Sequence, residues 1–323
     1  LATVEAERDG FSRLGLWRTR SRHAALFEPF VGAVGHTESG RVRTHVCFSG
    51  GWMGWQASVA TADQFGDAVM RDFQLRREGG WSIQASASPP SLETRGLGHP
   101  RFEELEVGER RSASLAVAFI DLTDFTGRSF WDDDDEVVDL AHSVLTGFVE
   151  VVTSWGGYAL GLRGDGLFAG FGPGDPEIDA VWALTACAHA LNGVENGLNP
   201  RLKAAGIEPV QARAGVDYGR LTFVRSGSRE RNEVNVIGFA ANFAAKCEKR
   251  AKSWEVVAGE GIQKLMPDAP SLDEHEMSPK KYQQDYGIRY YRFYDYRWRT
   301  ALKHIPGALK QISGHPTNRI SIR

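Results

Sequence analysis

The sequence has 323 residues, of which 42% are hydrophobic and 24% charged, the balance of a folded globular protein. This length suits one large domain or two ordinary ones. A formal net charge of −3 gives no global electrostatic reason to expect nucleic acid or a membrane as partner. A polyanionic substrate would have to be met by local cations and metal ions.

The cysteine pattern and the chain start bear on the compartment. Cys47, Cys187 and Cys247 form no CxxC pair, so neither a disulfide framework nor a zinc site is predicted. Residues 1–10 carry acids and lack the apolar core of a signal peptide. The sequence contains no stretch of about 18 uncharged apolar residues, so no membrane span is predicted. We therefore expect a cytoplasmic protein.

The first hundred residues have the weakest pattern. Residues 41–60 alternate apolar and polar side chains around a glycine turn, which predicts strands. Trp52, Trp55 and Trp81 either form the core of this β-rich unit, which we favour, or line a ligand groove. The small, proline-rich residues at 84–100 predict a loop.

The pattern is clearer from residue 114 onward. Leu115–Ile120 is an uninterrupted apolar run, which predicts a buried strand. Glu136–Val152 carries its apolar residues on one helical face, with aspartates before it that can cap the helix. Tyr158–Leu162 and Leu167–Phe171 predict a β-hairpin.

Further elements follow in the second half of the chain. The periodicity predicts a helix over Glu177–Val194, a strand pair across Val210–Val224, a helix over Phe239–Arg250 and a strand at Trp254–Val257. The order βαββαβ indicates an α+β fold of the ferredoxin-like, split βαβ type. We expect an antiparallel-rich sheet with helices packed on one face.

These elements suggest three regions. We expect an N-terminal module of unassigned role over residues 1–108, with a β-rich character, and a main domain over 109–298. A basic tail covers 299–323, and from Arg297 onward the chain has six Lys or Arg and no acid. We expect the tail to wrap on the surface or to be partly disordered, and the alternative is that it binds an acidic partner.

Two aspartates occupy places suited to chemistry. Asp121 directly follows the buried strand, and Asp165 lies at the tip of the predicted hairpin. In a split βαβ fold these strands are neighbours, so the carboxylates can meet and hold Mg²⁺ or Mn²⁺. Either aspartate alone would be an ordinary turn-capping residue. Gly164 and Gly166 favour the metal interpretation, because they let backbone approach a bulky anion.

The residues after Asp121 form a short turn that opens toward a helix. Backbone N–H groups in this turn, which includes Phe125 and Thr126, are predicted to cradle a polyphosphate.

Four segments, in order, resemble class III nucleotide cyclases over roughly residues 112 to 296. The segments are Phe119–Thr126, Gly156–Gly172, Gly215–Gly219 and Val236–Lys246. The resemblance implies that Asp121 and Asp165, helped by the Leu122 carbonyl, bind two Mg²⁺ or Mn²⁺ ions. It implies that Asn242 holds the ribose and that Lys246 stands where the family has an arginine for the α-phosphate. Asn242 and Lys246 would otherwise be a solvated helix face.

The resemblance also implies a quaternary structure. The metal ligands and the Asn242 and Lys246 pair come from opposite subunits in this family, which implies a homodimer with two shared sites. A second phosphate-binding cation is expected near the last strand, and Lys280, Lys281 and Arg289 are unranked candidates.

The base-reading positions depart from the purine pattern. Purine cyclases of the family have a lysine and an acid where this chain has Gly161 and Asn235. Asn235 can both donate and accept, and Tyr158 could fill the space left by a smaller base. These features, with residues 121–131, resemble the bacterial pyrimidine cyclases of Pycsar antiphage defence. Such enzymes make cyclic UMP or cyclic CMP, which activates a separate effector leading to abortive infection. We favour UTP over CTP.

Three other functions stay open at this point. The chain could be an adenylate or guanylate cyclase with an atypical base pocket, or an inactive module that binds nucleotide and dimerises. A palm-type polymerase shares the strand order, but the modest charge and the lack of a basic channel argue against nucleic acid.

Overall fold

The computed structural model describes residues 61–79 and 97–305. All of them belong to the second of two units into which the chain divides, Ser58–Arg323. The predictions for the strands at 41–60, for Cys47 and for the three N-terminal tryptophans lie outside these ranges.

The regular elements are numbered here in chain order over the described residues. The strands are β1 (Arg110–Thr123), β2 (Gly157–Arg163), β3 (Gly166–Phe171), β4 (Gln211–Gly227), β5 (Asn232–Ile237), β6 (Val256–Gly259), β7 (Leu272–Glu274), β8 (Lys280–Gln284), β9 (Gly287–Tyr291) and β10 (Phe293–Tyr296). The α-helices are α1 (Ala62–Arg77), α2 (Phe125–Trp131), α3 (Asp134–Ser154), α4 (Pro176–Asn192), α5 (Asn199–Ala204), α6 (Phe239–Arg250), α7 (Glu260–Leu265) and α8 (Trp298–Leu302). A π-helical turn, Gly193–Leu198, joins α4 to α5.

The main sheet has the strand order β2-β3-β1-β4-β6-β10-β7, and β5 pairs with β4 beside this path. Neighbouring strands are antiparallel except β4 and β6, which are parallel. β8 and β9 form a separate two-stranded ribbon. The α+β, split βαβ prediction is confirmed, and β1 lies next to the β2–β3 hairpin as expected.

The prediction of a strand pair across Val210–Val224 was wrong. This stretch lies within the single strand β4, which pairs with β1 along the whole length of β1. Gly215 lies inside this strand, where it permits close packing. A Cβ built on Gly215 would lie 2.0 Å from the backbone nitrogen of Glu248 on α6. The hairpin comes later, between β4 and β5.

The prediction that helices pack on one face of the sheet was also wrong. Ala116, Ala118 and Ile120 of β1 belong to the core under α3 and α4. Leu115 and Val117 point the other way and pack in a second core with α6. Both faces of β1 are therefore covered, which explains why its apolar run shows no alternation.

Helix α3 is built as a core helix. The Asp133 carboxylate caps it by accepting a hydrogen bond from the Glu136 N–H at 2.9 Å, and acidic residues fill the first turn. By length and composition alone, with a mean hydropathy of 1.3, α3 is long and apolar enough to cross a membrane. It nevertheless carries Asp139 and Glu150, and its apolar face is buried, with Phe148 stacked on Phe65 of α1.

Residues near both ends of the described chain contribute to the same core. Phe65, Val69 and Phe73 of α1 are buried against it. Trp298 is 2% exposed, and its indole N–H donates to the Trp254 carbonyl at 2.8 Å. The expectation of a surface tail is therefore wrong for the segment around α8, because its apolar residues fill the core edge. The boundaries at residues 108 and 298 stay a prediction.

Candidate active site

The two aspartates predicted to bind metal lie side by side. Asp121 lies near the end of β1, partly buried, and faces Gly166 in the β1–β3 register. Asp165 lies in the turn between β2 and β3, and its carbonyl accepts a hydrogen bond from the Leu122 N–H at 3.3 Å. Cross-strand pairing thus brings together carboxylates that are far apart in the sequence.

The glycines beside Asp165 shape this corner. Gly164 has a positive φ of 65°, which suits the tight turn. A Cβ built on Gly166 would lie 2.8 Å from Oδ1 of Asp121. Any side chain at 166 would therefore push into the space in front of the Asp121 carboxylate.

The donor set suits a divalent cation. Burial raises the pKa of the Asp165 carboxyl, and the neighbouring charge of Asp121 raises it further. A bound cation would offset this repulsion. Over the described ranges no group of three or more His, Cys, Asp and Glu is arranged around a metal site. The Leu122 carbonyl and substrate phosphates would have to complete the oxygen ligands that Mg²⁺ and Mn²⁺ prefer.

An arginine that the sequence interpretation missed also lies in this corner. Arg213 faces Asp121 across the β1–β4 pair, and its Nη2 lies 3.0 Å from Oδ2 of Asp121. The same nitrogen lies 2.6 Å from Oε1 of Glu248 on α6. Burial raises the pKa of Glu248 to about 7 despite the Arg213 charge. The close approach of α6 at Gly215 is what brings Glu248 to this cluster.

A second group of predicted residues surrounds a cavity of about 170 Å³ between β2, β5 and α6. Asn235 and Asn242 line it, and its wall includes the stacked rings of Phe119 and Phe168, 4.5 Å apart. Lys246 lies one helical turn after Asn242, and its Nζ is 3.4 Å from the Asn242 carbonyl oxygen. The structure therefore places the predicted base-reading and ribose-binding asparagines in one cavity.

Gly161 and Tyr158 occupy different environments on β2. Gly161 is buried and lines a second cavity of about 460 Å³ that adjoins the first. The Tyr158 ring packs against His99 at an interplanar angle of 47°, with 4.2 Å between ring centroids, and His99 Nε2 donates to the Gly172 carbonyl at 2.8 Å. Tyr158 lines neither of these two cavities, and its role in filling the base space stays a prediction. A β-bulge between Ala159 and Gly161 changes the alternation along this strand.

The predicted phosphate cradle lies at the start of α2. Asp124 adopts a left-handed conformation with φ of 57°, and the helix begins at Phe125. The Phe125 side chain is 6% exposed and packs in the core, so a substrate contact would have to use its backbone. Thr126 follows in the first turn, and its side chain lies outside the description.

The three candidate phosphate cations lie on the β8–β9 ribbon. Tyr282 pairs with Arg289 and Lys280 with Tyr291, while Lys281 pairs with Tyr290. Tyr282 and Tyr291 pack against Phe239 of α6. Because side chains alternate along a strand, Lys280 and Arg289 share the face turned toward α6 and Lys281 lies on the other.

Comparisons with known proteins identify sequence relatives and solved structures that the chain resembles. No family model matches the chain. It is 23% identical over 189 residues to a cytidylate cyclase of Escherichia coli, covering 55% of this chain and 41% of the relative. It is 22% identical over 173 residues to a cytidylate cyclase of Staphylococcus aureus (52% and 41% covered), and 30% identical over 143 residues to adenylate cyclase 1 of Rhizobium meliloti (43% and 21% covered). The chain thus spans less than half the length of each of these relatives.

Among solved structures, the adenylyl cyclase CyaB from P. aeruginosa has a TM-score of 0.52 at 22% identity, with 58% of this chain and 95% of that chain covered. The chain therefore has the fold of a class III nucleotide cyclase domain. Two of these sequence relatives are cytidylate cyclases, so the chain is similar in sequence to pyrimidine cyclases.

Proposed function

We propose that the protein converts a pyrimidine nucleoside triphosphate into its 3′,5′-cyclic monophosphate and pyrophosphate. The observation that carries the proposal is the meeting of Asp121 and Asp165 beside a glycine, with an asparagine-lined cavity on the same chain. In the reaction the ribose 3′-oxygen bonds to the α-phosphorus, the bond from that phosphorus to the β-phosphate oxygen breaks, and the hydroxyl proton is released.

Asp121, Asp165 and the Leu122 carbonyl would hold two divalent ions. When bound, such ions acidify the 3′-hydroxyl and neutralise the charge of the departing pyrophosphate. The carboxylates would be positioned by the central sheet, because Asp121 lies on β1 and Asp165 in the turn that joins β2 to β3.

The other predicted residues would orient the substrate and stabilise the negative charge on its phosphates. Asn242 would hydrogen-bond the ribose, which fixes the attacking oxygen in near-attack geometry. Lys246 would stabilise charge on the α-phosphate, as a point charge without the bidentate fork of an arginine. Lys280 or Arg289, on the α6 side of the ribbon, would meet the outer phosphates, and Arg213 beside Asp121 would add a further positive charge.

We propose a homodimer in which each site combines the metal ligands of one subunit with Asn242 and Lys246 of the other. All four side chains are present in this chain, so two identical copies would complete two sites. The exposure of Asn242 and Lys246 on the described chain suits a residue pair that meets a ligand at a subunit interface.

The base assignment rests on Gly161 and Asn235, which lack the charged pair of a purine site. The initial preference for UTP over CTP has no support in the comparisons, since the pyrimidine enzymes among the relatives are cytidylate cyclases. We propose further that the cyclic pyrimidine nucleotide is a cytoplasmic messenger of Pycsar antiphage defence, which reaches a separate effector by diffusion.

The test is to incubate the purified protein with Mn²⁺ or Mg²⁺ and each ribonucleoside triphosphate separately, and to identify products by mass. Cyclic CMP or cyclic UMP as the main product supports the proposal. Cyclic AMP or cyclic GMP would instead establish a purine cyclase, and no product from any substrate would establish an inactive module. An Asp121→Ala protein that still cyclised would refute the assigned metal site.

The shared site has its own test. Asp121→Ala and Asn242→Ala proteins should each be inactive, but mixing them should restore activity. Random pairing makes half of the dimers mixed, each with one intact site of two, so about a quarter of wild-type activity is expected. No recovery from a mixture that is shown to exchange subunits would contradict the shared site.

A further inference from the structure

Arg163 occupies the space above Gly161. A Cβ built on Gly161 would lie 3.3 Å from Nη1 and 3.6 Å from Cζ of Arg163. The two residues are two positions apart in the last part of β2, so their side chains start on the same side of the strand. The guanidinium therefore lies where a side chain of residue 161 would begin.

The same arginine stands between the two cavities of the candidate site. It lines the cavity of about 170 Å³ together with Asn235 and Asn242. It also lines the adjoining cavity of about 460 Å³, together with Gly161. A base whose ribose is held by Asn242 would reach this guanidinium within the same half of the site.

Most donors of Arg163 are available to a ligand. Within residues 61–79 and 97–305, its one hydrogen bond is from Nη1 to the carbonyl of Leu162 at 3.1 Å, and it makes no ion pair within 4.0 Å. Glu103 and Glu233 line the larger cavity without pairing with it. A guanidinium carries five N–H donors and no acceptor, so it matches a base edge that presents acceptors.

The planar, forked guanidinium of Arg163 can distinguish cytosine from uracil by the acceptors that each base presents. Along its pairing edge cytosine presents two adjacent acceptors, N3 and O2, which a planar fork can meet with two parallel hydrogen bonds. Uracil alternates acceptor, donor and acceptor, so one arm of the fork would face the N3–H. The Asn235 side-chain oxygen accepts from the Val236 N–H at 2.8 Å and keeps a second lone pair for the cytosine amino group.

We propose that Arg163 is the base-reading cation of this site and that it selects CTP. The inference rests on the proposed cyclase function and names its substrate. The sequence interpretation favoured UTP and did not single out Arg163, whereas the position of Arg163 favours CTP.

The experiment compares kcat/KM for CTP and for UTP in the wild type, Arg163→Met and Arg163→Lys. The matched control is Arg229→Met, at an exposed arginine in the β4–β5 turn that lines neither cavity. We expect Arg163→Met to lower kcat/KM for CTP roughly 10- to 100-fold, the loss of a charged hydrogen-bonding pair, and to affect UTP less. Lysine should recover only part of the preference, because it lacks the fork.

Binding in EDTA, where turnover stops, gives a second measurement. The ratio of the Kd values for CTP and UTP, taken by calorimetry, should change in Arg163→Met and stay at the wild-type value in Arg229→Met. An unchanged ratio in Arg163→Met, or a wild type that prefers UTP, would overturn the inference while leaving the cyclase function standing. A wild type that cyclises no triphosphate would instead refute the proposed function itself.

Discussion

The buried carboxyl of Asp217 gives the sharpest quantitative prediction. Asp217 lies on β4 with none of its surface exposed, and it accepts hydrogen bonds from the Gly261 N–H at 3.1 Å and the Tyr291 hydroxyl. Burial raises its pKa to about 7 from an ordinary 3.8. Replacing it by asparagine keeps the shape and removes the ionisation, so Asp217→Asn isolates the cost of that charge.

The sign follows from proton linkage. The pKa of Asp217 is higher in the folded protein than in the unfolded chain, so its protonated carboxyl stabilises the fold. This contribution to the free energy of unfolding is complete below pH 4 and is lost as pH rises toward 7. The shift corresponds to about 4 kcal/mol in total, at ~1.4 kcal/mol per pKa unit. About two pKa units of this effect fall between pH 5 and pH 8. Over that range the free energy of unfolding of Asp217→Asn should therefore rise by about 3 kcal/mol relative to that of the wild type.

Urea denaturation at constant ionic strength measures this difference. The free energy of unfolding is determined at pH 5, 6, 7 and 8 for the wild type, Asp217→Asn and the exposed control Asp268→Asn. The control should follow the wild type at every pH. Parallel curves for the wild type and Asp217→Asn would show that Asp217 is ionised at no cost in the folded protein, and the reasoning from its burial would fail.

Three further substitutions test the site and the fold. Gly166→Ala should abolish cyclisation because its Cβ would crowd Asp121 at 2.8 Å, whereas the exposed control Arg229→Met should keep full activity. Asn242→Ala should leave the free energy of unfolding within about 0.5 kcal/mol, since the residue is exposed, while product formation falls at least ~100-fold. Trp298→Ala should destabilise the protein by about 3–5 kcal/mol in urea denaturation, and a loss below 1 kcal/mol would show that α8 is peripheral.

The central strands and helices were predictable because their signals are local. The helix predicted over Phe239–Arg250 matches α6 at both ends, and the hairpin that presents Asp165 is β2–β3. The apolar run of β1 already indicated a strand covered on both faces, although a one-sided helix layer was expected. A run without alternation cannot leave one face open to water.

The residues that the sequence interpretation missed depend on register. Arg213 is ordinary in sequence, and it gains meaning only because β4 pairs with β1 so that it faces Asp121. Glu248 joins it because Gly215 lets α6 approach the strand. Arg163 is not at the position where purine cyclases have their lysine, since that position is Gly161 in this chain. A guanidinium two residues away reaches the same space along the strand.

Arg163 and Asp165 sit in one hairpin but would serve different sites of the homodimer, which gives a decisive prediction. Arg163 shares its cavity with Asn242, while Asp165 would complete the metal site opposite the partner's asparagine.

Mixed dimers separate the two sites. In a mixed dimer with Asp121→Ala on one chain and Arg163→Met on the other, the one site that can react has both halves intact and should prefer CTP. With both substitutions on one chain and a wild-type partner, the active site contains the altered arginine and should lose that preference. Mixed dimers isolated through two different tags allow the CTP to UTP ratio of kcat/KM to be measured for each arrangement. If Arg163 read the base at the site of its own Asp165, the two arrangements would give the reverse result, because the metal-competent chain would then supply its own arginine.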